Sequence, residues 1–255
     1  HERLEVYHQS LSFVSRAETL IAEATVEAAV LDHLDRASES IVEHIVNGNS
    51  QWTSDAKCRY FDIARGSALE CAACMDVCCV KGLVSPVRRD QEKSVLRSIV
   101  RMLVGLIRSQ RREVRETAGE YSTPKDGRDD EPFFDHERLE VYQLGLAFVG
   151  WVESLMREHD FGAARTRKLD ALATSIVLNI AEGNGRSEAA EHRSFLDIAH
   201  RSALKAALQL DLAHMKASMP SKQIDEGKRM LASIVRQLLA MHGYFAAKEE
   251  RLHTL

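Results

Sequence analysis

Four groups of side chains in this 255-residue sequence have the types and spacing to do chemistry. Arg97, Arg101, Arg108, Arg111, Arg112 and Arg115 fall at spacings that place most of them on one flank of a helix. Guanidiniums so placed suit phosphate binding that depends on salt and ignores sequence. They equally suit a solvated outer face, or ion pairs with the acidic stretch that follows. In ECAACMDVCCVK, Cys71, Cys74 and Cys78 share a stripe with Cys79 beside it. Zinc sites hold paired thiolates on turns, and a continuous helix cannot wrap four of them round one ion. These cysteines are therefore expected to pack as small hydrophobes. Asp197/His200 and Asp211/His214 each set a carboxylate three residues from an imidazole, both on one helix. Helical di-metal sites draw their ligands from four helices. No nucleophile sits at a strand-to-helix elbow. The expectation is no catalytic residue, no metal and no cofactor.

The fourth group lies in SIVLNIAEGNGR, Ser175 to Arg186, where an apolar run at helical spacing stops in a polar cluster. A phosphate-cradling loop needs a longer glycine-rich loop that follows a strand, and no strand pattern precedes this one. The residues instead fit turn chemistry: Gly183 as a left-handed helix cap, Asn184 and Gly185 turning, Arg186 following, and Ser187 capping the next helix. Asn179 and Glu182 share a face at the helix end, placed to hydrogen-bond the loop or a neighbouring helix.

The elements that position these groups are written twice. HERLEVYHQSLSFV at the start recurs as HERLEVYQLGLAFV at His136, an offset of 135 residues. The register continues through FDIARGSALE at Phe61 and LDIAHRSALK at Leu196, and through Ser98-Ile-Val and Ser233-Ile-Val. Each unit spans roughly 115 residues, with 1–117 the divergent copy and 136–255 the other. Between them, 118–135 (TAGEYSTPKDGRDDEP and its edges) is polar and aperiodic, and reads as a linker.

Apolar residues at three- and four-residue spacing give four helices per unit. In the second these run over 137–159, 164–182, 188–217 and from Pro220 to about 251. Short connections force neighbours antiparallel. The fold class is all-α: two tandem antiparallel up-down four-helix bundles joined by a polar linker. Ala64, Ser67 and Ala68, with Ala199, Ser202 and Ala203, are small enough to let a neighbouring helix approach closely.

At 45% hydrophobic and 28% charged, the chain can bury two cores. Net charge is −4: 16 cations against 17 anions in the first unit, 2 against 6 in the linker, 16 against 15 in the second, or −1, −4 and +1. Global charge thus says little about either unit's partners. No apolar run approaches bilayer length, and no signal peptide is visible. Five cysteines, all in the first half, suit a reducing cytoplasm better than a disulfide framework.

RLEVYQLGLAFV, SIVLNIAEGNGR and FLDIAHRSAL together resemble the bacterial four helix bundle protein family. Its members include proteins encoded by intervening sequences within large-subunit ribosomal RNA genes, and the accessory variability protein of diversity-generating retroelements is a relative. The resemblance is strong in the second unit and weaker in the first, where Val-Asn-Gly-Asn-Ser replaces Ala-Glu-Gly-Asn-Gly. It implies an up-down bundle that assembles into five-membered rings and has no catalytic activity. It also implies association with nucleic acid and a reverse transcriptase through basic surfaces. A tandem chain cannot tile one five-membered ring with all its bundles. The expected function is a non-enzymatic, cytoplasmic, self-associating scaffold or adaptor acting with RNA or DNA, or with a nucleic-acid enzyme such as a reverse transcriptase. A purely protein-protein assembly module is the alternative, and a metal-dependent helical enzyme a remote one.

Overall fold

The computed structural model describes residues 2–118, 134–217 and 220–253. Most of the expected linker lies outside the described residues. Helices α1 (Glu5–Glu23), α2 (Ala29–Asn49), α3 (Ser54–Val80) and α4 (Pro86–Ala118) form one bundle. A single 3-10 turn, Asp135–Arg138, leads into α5 (Glu140–Glu158), α6 (Ala163–Asn184), α7 (Ala189–Ala217) and α8 (Ser221–His253), which form the second. Among the described residues there is no strand.

Each helix exists because one stripe of it must leave water. In α1 the buried residues are Val6, Ser10, Phe13, Ala17 and Leu20, at alternating spacings of four and three. In α2 they include Leu34, Ile41 and Ile45. Polar ends set the boundaries. The Thr53 hydroxyl accepts from the Ala56 amide at 3.3 Å, and Ser85 does the same for Arg88 at 3.2 Å, with Pro86 at the first helical position. α3 ends where Gly82 takes φ +76°, letting the Leu83 amide donate to the Cys78 carbonyl at 2.9 Å.

In each bundle successive helices pack side by side and the fourth closes on the first. The small residues act as expected: Ala64, Ala68, Ala199 and Ala203 are wholly buried. Ser40 and Ser67 meet hydroxyl to hydroxyl at 2.8 Å, and their repeat counterparts Ser175 and Ser202 at 3.0 Å. Elsewhere the repeats solve one contact in two ways. Arg16 on α1 makes a two-pronged ion pair with Glu92 on α4, at 2.7 and 2.9 Å. The counterparts are Trp151 and Gly227, and any Cβ on Gly227 would lie 2.4 Å from the indole.

Three expectations are corrected. No left-handed cap exists at Gly183: α6 runs on through Asn184, Gly185 has φ −78°, and among the described residues the positive-φ glycines are Gly82 and Gly162. Gly183 is small because a Cβ there would lie 2.9 Å from Phe195 Cβ. Ser187 does not begin α7, which starts at Ala189; its hydroxyl donates to Asp62 of the first bundle. The second unit's first helix starts at Glu140, after the 3-10 turn, not at 137.

Candidate functional site

The bundles do not simply follow one another. α3 packs against α6 and α5, and α2 touches α6. α3 is consequently buried nearly all round, with Ala64, Ala68, Cys71, Ala72, Cys74, Val77 and Cys78 all at 0% exposure. This joint gathers most of the buried charge among the described residues, in three nodes.

At the first node, Lys81 at the end of α3 donates to Glu153 of α5 at 2.8 Å and to Asp170 of α6. Asp170 also accepts the Ala29 amide at the start of α2, at 3.1 Å. Burial opposes charge on the Lys81 ammonium, but its two carboxylates outweigh that and raise its pKa. At the second node, Asp76 accepts both a two-pronged contact from Lys93 at 2.7 Å and the Tyr142 hydroxyl of α5 at 2.9 Å. Burial, then Asp76, push the Tyr142 phenol well above its ordinary value. Lys93 also reaches Glu137 at 2.5 Å and sits over the Phe134 ring. His136 lies between the Phe134 and Tyr142 rings, fully buried, with neither ring nitrogen hydrogen-bonded among the described residues. Burial, with Lys93 nearby, holds its pKa down at about 3, so it is neutral.

The third node is the polar corner after α6. Arg65 of α3 donates twice to the Gly185 carbonyl, at 2.8 and 3.2 Å, and pairs with Asp62 at 3.0 Å. Asp62 in turn accepts the Ser187 amide at 3.1 Å. A Cβ on Gly185 would lie 2.7 Å from Gly66 Cα, so backbone meets backbone here. Arg186 donates to Glu182 at 2.6 Å and lies over the Phe195 ring. Burial, then Glu70 across the joint, raise the Glu182 pKa to about 7 against the pull of Arg186. His33 meets Glu70 at 3.0 Å. Asn179 turns back to the Ser175 carbonyl at 2.7 Å.

The corner residues singled out in the sequence therefore do come together, as one half of a joint. Sequence reasoning missed the rest of the joint: Asp62, Arg65, Asp76, Lys81 and Lys93 of the first bundle, and Tyr142 and Asp170 of the second. A signal existed, since several of these polar residues recur unchanged 135 positions away in repeats that have otherwise diverged.

The arginine flank is only partly assembled. Arg97 is half-buried over Phe134, 5.7 Å from the ring centroid. Arg101, Arg108 and Arg111 are exposed along α4, and Arg111 lies beside Cys58. The side chains of Arg112 and Arg115 lie outside the described residues. The cysteine stripe is core: burial first, and Glu70 second, push the Cys71 and Cys74 thiols far up, and burial takes Cys78 to about 12. Such thiols are poor nucleophiles and poor ligands. Asp197 faces His242 at 3.5 Å and Asp211 pairs with Lys228, both toward α8. Among the described residues no three His, Cys, Asp or Glu group to hold a metal ion, and no helix is long and apolar enough to cross a membrane.

Two up-down helical bundles, packed together at a glycine-asparagine corner, place this chain among the helical bundle proteins. The family model described as 23S rRNA-intervening sequence protein matches residues 2–105 and 137–240, two segments offset by the same 135 residues, and the chain belongs to that family. No curated protein and no solved structure matches it.

Proposed function

We propose that this chain is a non-enzymatic, self-associating scaffold or adaptor, which meets nucleic acid, or a nucleic-acid enzyme such as a reverse transcriptase, through the arginine flank of α4. The reading places it in the cytoplasm, where its five free thiols stay reduced. One observation carries it: the polar corner after α6 is engaged in holding the two bundles together. What remains for partners is outer surface. Arg101, Arg108 and Arg111 sit along about 15 Å of one helix, given a rise of ~1.5 Å per residue, a spacing that several phosphates of one strand can meet.

Fluorescence anisotropy with a short RNA, repeated from low to physiological salt, tests the nucleic-acid part. Binding should weaken steeply with salt. Arg108→Glu with Arg111→Glu should flatten the log–log slope by about 1.4–1.8, from ~0.7–0.9 per phosphate contact. No binding of RNA or DNA at low salt removes this part and leaves a protein-only assembly module. That second reading has its own support in the apolar residues exposed along α7, Leu204, Leu208 and Met215.

A further inference from the structure

The joint within the chain is asymmetric. Its first side is the N-terminal end of α2, the length of α3 and Lys93 of α4; its second is the segment Phe134–Arg138 with α5 and α6. Each bundle, being a copy of the other, has both kinds of side, and the chain uses one of each. The α7 side of the second bundle and the α1–α2 side of the first are left open.

Both open sides keep the polar chemistry of the joint. Glu137, Tyr142, Glu153 and Asp170 on the used receiving side correspond to Glu2, Tyr7, Glu18 and Asp35. Asp62, Asp76, Lys81 and Lys93 on the used docking side correspond to Asp197, Asp211, Lys216 and Lys228. All eight residue types are retained. The Lys228–Asp211 pair, at 2.8 and 3.1 Å, repeats the Lys93–Asp76 pair, but its side chains are 43% and 48% exposed where those of Lys93 and Asp76 are 6% and 10%. The retained set is one tyrosine, five carboxylates and two lysines, spread over the two open faces.

The open sides differ from the joint in a complementary way. Leu69 and Ala73 become Leu204 and Leu208, each 53% exposed, and Val80 becomes Met215, 79% exposed. Gly66 and Glu70 become Arg201 and Lys205, both exposed. Opposite them, Thr174 and Leu178, buried in the second bundle, correspond to Glu39 and Glu43, exposed on the first. Trp52 stands at the counterpart of Ser187, 98% exposed. One open face has gained cations and an apolar stripe; the other has gained carboxylates. Opposite charge on two surfaces steers them together and fixes register, while like charge keeps each face off its own kind.

We propose that the α7 face of one chain docks on the α1–α2 face of a second copy, head to tail, repeating between chains the joint that holds each chain together. In that contact Tyr7 donates to Asp211 and Lys228 reaches Glu2. The proposal rests on the self-association in the reading above, and names its faces and polarity. A heterologous contact of this kind continues from chain to chain and is not exhausted by a pair.

Leu204→Asp with Leu208→Asp closes the α7 face; Glu18→Lys with Asp35→Lys closes the α1–α2 face. All four residues are exposed, and melting by circular dichroism checks that each variant stays folded. Mass photometry of the full chain should give assemblies of more than two chains. Each variant alone should fall to the mass of one chain, and an equimolar mixture of the two should give two-chain particles and nothing larger. Variants that assemble as the parent does would overturn the faces and leave self-association standing. A variant that stops at two chains by itself would show a two-fold contact and overturn the polarity. A parent that stays a single chain at every concentration removes the proposal and self-association together.

Discussion

Gly185 shows how one residue type can be read correctly for the wrong reason. Its φ of −78° is open to any residue, so no conformational freedom is in use; what is in use is the absence of a Cβ against Gly66 Cα. Gly185→Ala should therefore cost about 1–3 kcal/mol, as overpacking against rigid backbone does. Gly105, with nothing within 4 Å of its would-be Cβ and sitting inside α4, should behave oppositely, and Gly105→Ala should gain roughly 0.5–1 kcal/mol. Urea denaturation of both variants checks the pair of signs. Two titratable groups of the joint set its pH response. His136 has its pKa depressed in the folded state, so its contribution is present above the unfolded value of 6.5 and is lost as pH falls toward about 3. Glu182 has its pKa raised, so its contribution is full below the unfolded 4.5 and is lost as pH rises through about 7. Melting temperature against pH should accordingly fall more gently on the acid side in His136→Phe. Glu182→Gln should melt a few degrees higher at pH 8 and no higher at pH 4, where the parent carboxyl is already protonated. Equal gains at both values would contradict the assigned charge effect.

At the scale of elements, α3 decides the architecture. A helix in one bundle needs one apolar stripe, yet α3 carries alanine, cysteine, valine and methionine around most of its circumference. Such a helix has neighbours on every side. The cysteine stripe was readable as packing from residue type and from Ala206 and Ala213 at two of the matching positions; that it packs across two bundles was not. Periodicity tells which face of a helix leaves water, never which of two available partners covers it. The same limit hid Lys81, which by type belongs on a surface. Lys81→Ala leaves Asp170 and Glu153 facing each other without a cation, and should cost on the order of 3–5 kcal/mol, as breaking a buried pair does. A loss under about 1 kcal/mol in thermal or chemical denaturation, the value typical of surface pairs, would mean that water reaches the node.

Over the whole molecule, the duplication, the eight α-helices of the described residues and their up-down order were legible, because repetition and helical period are written locally. The relation between the two copies was not, because it depends on long-range pairs such as Lys81 with Asp170 and Arg65 with the Gly185 carbonyl, 89 and 120 residues apart. The joint is what turns two bundles on one chain into a single body with two chemically different ends. It also engages the corner residues in contacts between the bundles. Cutting the connection tests this directly. A protease site placed between residues 119 and 133, then cleaved in the folded protein, gives two fragments on a denaturing gel. If the joint holds the bundles, native mass and elution volume stay as before cleavage, and Lys81→Ala combined with Gly185→Ala releases the halves. If the wild-type halves separate on cleavage, the bundles are merely tethered, and the polar corner must be given some other work.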